Sequence, residues 1–88
     1  MRHAAIAISP AIVPGSIFAL DPLPLRRGHV IAFLGIARAE TEVTVTAAND
    51  NSIHFCDDRA AFVARPWPHH DSDAGRWWQV CEAASRLN

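Results

Sequence analysis

Alternation of apolar and polar positions is clearest between residues 41 and 57. Val43, Val45 and Ala47 fall on one side of an extended chain, with Glu42, Thr44 and Thr46 on the other. Ile53 and Phe55 alternate in the same way with His54 and Cys56. Successive side chains of a strand point to opposite faces, so this pattern predicts a β-hairpin with one buried face. Parity constrains its register, because a one-residue slip would turn one strand's apolar set to solvent. A three-residue loop of Asn49, Asp50 and Asn51 pairs Ala47 with Ile53 and Val45 with Phe55. On the opposite face, Thr46 then meets His54 and Thr44 meets Cys56.

A longer rhythm runs through the C-terminal segment. Trp77, Val80, Cys81, Ala84 and Leu87 recur at helical spacing, and Ser72 or Asp73 can cap the first turn. Glu82 and Arg86 stand at i and i+4, a favourable pair on an outer helix face. This spacing predicts a helix over residues 72–87, with Trp78 at the margin of its apolar stripe.

Other signals are shorter. Residues 4–20 read as one or two strands, with Ile6 and Ile8 alternating with small residues and Pro10, Pro14 and Gly15 as punctuation. Asp21-Pro22-Leu23-Pro24 makes a stiff loop that Arg26-Arg27-Gly28 ends. Val30, Ile31, Phe33, Leu34 and Ile36 form an apolar run, and its β-branched residues and Gly35 favour strand over buried helix. Residues 58–65 suit either a short helix capped by Asp58 or an edge strand holding Phe62 and Val63. Pro66-Trp67-Pro68-His69-His70 is a rigid connector.

Together these elements predict a single domain over residues 1–88 of the α+β class. The expected architecture is a small antiparallel sheet of about four strands with a C-terminal helix packed on one face. The Val43, Val45, Ile53 and Phe55 side of the sheet would meet Trp77 and Val80, making Trp77→Ala among the most damaging changes.

Composition narrows the function classes. Half of the 88 residues are hydrophobic and 19% are charged, as in a folded chain rather than a disordered one. Formal net charge is -1, which argues against bulk electrostatic binding of nucleic acid. All basic residues are arginine, and lysine and tyrosine are absent, as GC-rich bacterial or phage coding would produce. The apolar stretch after Met1-Arg2-His3 faintly resembles a secretory signal, but Pro10 and Pro14 interrupt it. No apolar run is long enough for a transmembrane helix, so the expectation is a cytoplasmic protein without a membrane partner.

Candidate chemistry is sparse. His54-x-Cys56, with His69, His70 and Cys81 as further donors, offers one close ligand pair where zinc needs about four ligands. The hairpin register places Cys56 on the face opposite the helix and Cys81 in the core, so neither a metal site nor a disulfide is expected. Cys56, His54 and Asp57 or Asp58 include the residue types of a nucleophile, base and orienting group, without a sign of a pocket. His69-His70-Asp71 reads as the wet start of the last helix rather than an acid–base site. The expectation is a protein that is not an enzyme and carries no cofactor.

Binding is the remaining class. Trp67 is held between prolines and Trp78 lies beside the stripe; with His69 and His70 they make an expected docking surface. Arg26 and Arg27 form a second patch. The expected function is a small inhibitor or regulator docking on a larger bacterial or phage protein, for example one that blocks host defence. A nucleic-acid-associated regulator acting through Arg26 and Arg27 is the alternative, and a small metal or thiol protein a further one. Exposed tryptophans and strand edges would also permit a homodimer.

Overall fold

A computed structural model describes residues 1–7, 12–20, 24–34, 40–68 and 76–85. Seven strands run through them: β1 (Arg2–Ala7), β2 (Ile17–Leu20), β3 (Val30–Leu34), β4 (Glu40–Ala48), β5 (Ile53–Cys56), β6 (Ala60–Pro66) and β7 (Arg76–Ser85). They form a closed barrel in the order β1-β2-β7-β6-β5-β4-β3. β1 and β3 pair in parallel to close it, and every other pair is antiparallel.

The fold is therefore all-β, and the expected α+β sheet with a C-terminal helix is incorrect. Residues 76–85 are a strand, not part of a helix. Trp78 and Val80 point inward and are buried, while Trp77 and Gln79 are half-buried on the outer wall. That is two-residue alternation, and a bulge hides it. Val63 pairs with Glu82 but Ala64 pairs with Val80, so Cys81 is an extra residue on β7. The bulge breaks the alternation where alanines begin, and the broken pattern imitates a helical stripe. Glu82 meets Arg65 across the β6–β7 ladder at 3.5 Å, and Arg86, its expected helical partner, lies outside the described residues. The expected capping residues Ser72 and Asp73 lie outside the described residues.

The β4–β5 hairpin follows its sequence pattern in part. Val45 pairs with Phe55 and Thr44 with Cys56, as parity requires. Beyond them Ala47 pairs with His54 and Ala48 with Ile53, so Thr46 is a bulge and the expected Ala47–Ile53 pair is wrong. The cause lies in the turn. The Asn49 side chain accepts hydrogen bonds from the amides of Asn51 (2.7 Å) and Ser52 (2.9 Å), which makes a four-residue connection. The bulge absorbs the resulting slip and lets Ala48 pack against the core. Asp57 organises the β5–β6 turn in the same manner, accepting from the amides of Arg59 and Ala60. β6 is thus a strand paired on both sides, neither an Asp58-capped helix nor a sheet edge.

All four phenylalanines meet inside the barrel. Phe18 stands edge-on to Phe33 at 4.9 Å, and Phe55 stacks on Phe62 at 5.3 Å. Offset and edge-to-face pairs of this kind add about 0.5–1.5 kcal/mol each beyond the area they bury. A small barrel has room for only so many rings, and β1 supplies the compensation. Its inward residues are His3, Ala5 and Ala7, of which the two alanines join the apolar core, while Ile6 faces out at 61% exposure. Among the described residues no helix is long and apolar enough to cross a membrane.

Burial reverses the expected ranking of the two adjacent tryptophans. Trp78→Ala should lower unfolding free energy by about 3–5 kcal/mol in a guanidinium titration, as for a large core aromatic. Trp77→Ala should cost clearly less. A larger loss for Trp77→Ala than for Trp78→Ala would contradict the strand phase of β7.

Candidate functional site

Strand registers place the starts of β1, β3, β5 and β7 and the ends of β2, β4 and β6 at one end of the barrel. An open cleft of about 770 Å³ occupies that end. Leu20, Ile53 and Trp78 form its floor, which is the top layer of the buried core. Leu25 and Ala48 close its sides.

Three arginines surround this apolar floor. Arg26 and Arg27 come from the connection between β2 and β3, and Arg76 from the first position of β7. Asp50, on the β4–β5 turn, is the one carboxylate among the lining residues described. The Arg76 guanidinium lies 4.9 Å from the centroid of the Trp78 ring and covers it. Arginine stays charged and presents a planar fork of donors that matches carboxylate or phosphate groups. The cleft therefore suits a ligand that is anionic at its rim and apolar beneath.

The connection carrying Arg26 and Arg27 is shaped by topology. β2 and β3 flank β1, so the chain between them must cross the start of β1. A turn at Arg26–His29 makes the landing. His29 N–H donates to the Arg26 carbonyl at 3.1 Å, and Gly28 takes a φ of 91° that a β-carbon would strain. Gly28 N–H also donates to the Val45 carbonyl, and Val45 N–H to the His29 carbonyl, both at 2.8 Å.

Beneath this turn two imidazoles meet. His3, buried at 5% exposure, and His29 stack with their centroids 5.1 Å apart. His3 Nε2 lies 3.1 Å from His29 Nδ1. The Arg26 amide also points at His29 Nδ1, at 3.3 Å. An amide can only donate, so His29 Nδ1 is the unprotonated acceptor and His3 Nε2–H the second donor. Desolvation holds the His29 pKa below its usual value, and the positive charges of the amino terminus, His3 and Arg26 lower it further.

The other residues singled out from sequence are dispersed. Trp78 is in the core, whereas Trp67 is half-buried on the outer wall, edge-on to Trp77 at 6.3 Å. His69 and His70 lie outside the described residues, as does Asp71. His54 and Cys56 line two different shallow depressions, and the Asp57 carboxylate is engaged by backbone amides of its own turn. Cys56 and Cys81 are thiols not joined in a disulfide, and Cys81 is exposed rather than in the core. Among the described residues no group of three or more His, Cys, Asp or Glu could hold a metal ion. Arg76 and the His3–His29 pair were not singled out by sequence reasoning. Arg76 is distant in the chain from Arg26, and a strand phase for residues 76–80 is the signal that would have placed it above Trp78.

A depressed His29 pKa has a defined sign for stability. As pH falls, the unfolded chain takes up the proton first, so stability is full above the unfolded value of 6.5 and declines below it. The urea midpoint should thus be lower at about pH 5.5 than at about pH 7.5. Equal or higher midpoints at the acid value would contradict the placement of His29 among positive charges.

No family model, curated protein or solved structure matches this chain.

Proposed function

We propose that this chain is a small non-enzymatic binding domain that docks on a larger protein through the cleft end of its barrel. Arg26, Arg27 and Arg76 would grip carboxylates of an acidic segment while an apolar side chain reaches the Leu20–Ile53–Trp78 floor. The observation that carries this reading is the convergence of three guanidinium groups, from two separate parts of the chain, around one open apolar cleft. By occupying an acidic site on its partner, such a domain would act as a regulator or inhibitor. Two cysteines left as thiols are in keeping with a reducing, cytoplasmic setting.

A nucleic-acid ligand is less well supported. Binding single strands draws on aromatic faces open to bases, and Trp78 is 6% exposed beneath Arg76. A net charge of -1 adds no general attraction for phosphates.

Fluorescence anisotropy with a labelled aspartate-rich peptide tests the reading. Arg26→Ala/Arg27→Ala and Arg76→Ala should each weaken binding by about tenfold or more, the loss of at least one charge-assisted contact. Trp67→Ala, on the outer wall, should leave it unchanged. Tighter binding of a single-stranded oligonucleotide of equal charge, falling steeply with salt, would overturn the proposal in favour of nucleic acid.

A further inference from the structure

The turn that carries two of the three cleft arginines rests on a histidine pair. His29 Nδ1 accepts from the Arg26 amide and from His3 Nε2, so one ring nitrogen ties the turn to itself and to β1. His3 has little freedom to move away, because it is buried on the inner side of β1. The charged groups facing His29 are the amino terminus and His3 of β1 and Arg26 of its own turn, all positive or able to become so. On β4 the residue bonded to its carbonyl is Val45, which brings no charge. No carboxylate is therefore placed to neutralise a protonated His29 among these neighbours.

We infer that the His3–His29 pair makes the cleft proton-sensitive: a neutral His29 holds the Arg26–His29 turn in place, and its protonation releases the turn and weakens the grip on an anionic segment. This rests on the cleft being the docking site. Protonation at Nδ1 converts the acceptor of the Arg26 amide into a donor facing that amide, so this hydrogen bond is lost. The turn is then held by its backbone bonds alone, so Arg26 and Arg27 are less firmly fixed and a smaller fraction of molecules remains competent to bind. The direction is not trivial. An added positive charge alone would attract an anionic ligand more strongly, so a mere charge effect and a release of the turn have opposite signs.

The experiment measures affinity for the labelled aspartate-rich peptide, whose carboxylates stay ionised throughout, at about pH 7.5 and about pH 5.5. Wild-type affinity should fall at the acid value, by less than about tenfold, because a pKa held below its usual value leaves part of His29 neutral there. His29→Asn keeps a side-chain acceptor that does not titrate, and its affinity should stay constant. His3→Gln keeps a donor near the position of Nε2 and leaves His29 able to titrate, so its affinity should still fall at the acid value, which shows that a change in the pair does not by itself flatten the profile. Amide exchange in the peptide-free protein supplies a second readout. The Arg26 amide should lose protection at acid pH while amides of β5 keep theirs. Affinity that is unchanged or rises at the acid value, or a His29→Asn profile matching wild type, would overturn the inference. If no peptide binds at either pH, the docking reading fails instead, and unchanged Arg26 protection would then overturn the proton-sensitive turn by itself.

Discussion

β7 has to satisfy two neighbours at once. Over Arg76–Gln79 it pairs with β2, and over Trp78–Ser85 it pairs with β6. These ladders join the N-terminal strands to the β4–β5–β6 meander, and the parallel β1–β3 pairing completes the ring. An open sheet would leave rows of amides and carbonyls without partners, a liability that closure removes. Closure also gives the apolar faces of all strands a common interior, where four phenylalanines, Trp78, Val80 and the aliphatic residues of β3, β4 and β5 pack together. Each wall depends on the others for its buried face, because no second layer covers a barrel of this size from within.

The same closure dictates where the cleft lies. With β1 between β2 and β3, the β2–β3 connection has to pass over the start of β1. That passage brings Arg26 and Arg27 to the rim and His29 onto His3. Arg76 arrives from the other side because the first residue of β7 pairs with Leu20 at the last position of β2. Two arginines adjacent in sequence and one far away thus surround one apolar floor. The charge pattern of the cleft is a product of topology rather than of a local motif.

Some of this was legible in the chain and some was not, for physical reasons. Alternation in β4 and β5 revealed the hairpin and its central pairs, since burial of Val43, Val45, Ile53 and Phe55 enforces parity. Thr46 was missed as a bulge because the Asn49 turn geometry, not hydrophobicity, sets it. In β1 the pattern misleads about direction. Ile6 looks like the core residue, yet beside the aromatic rings β1 turns the small side chains of Ala5 and Ala7 inward. In β7 an extra residue at Cys81 and an alanine-rich end overrode a short run of strand-forming residues as a signal, although tertiary pairing decides the outcome. Arg26 and Arg27 were visible as a basic turn, but their partner Arg76 and the histidines beneath them become neighbours only when the barrel closes.

Solution NMR of residues 76–85 addresses closure most directly. The account predicts cross-strand contacts between Ala19 and Trp77 and between Phe62 and Ala83, with extended-chain chemical shifts through Ser85. Contacts between residues three apart, such as Trp77 with Val80, together with helical shifts and no contact to β2, would contradict it.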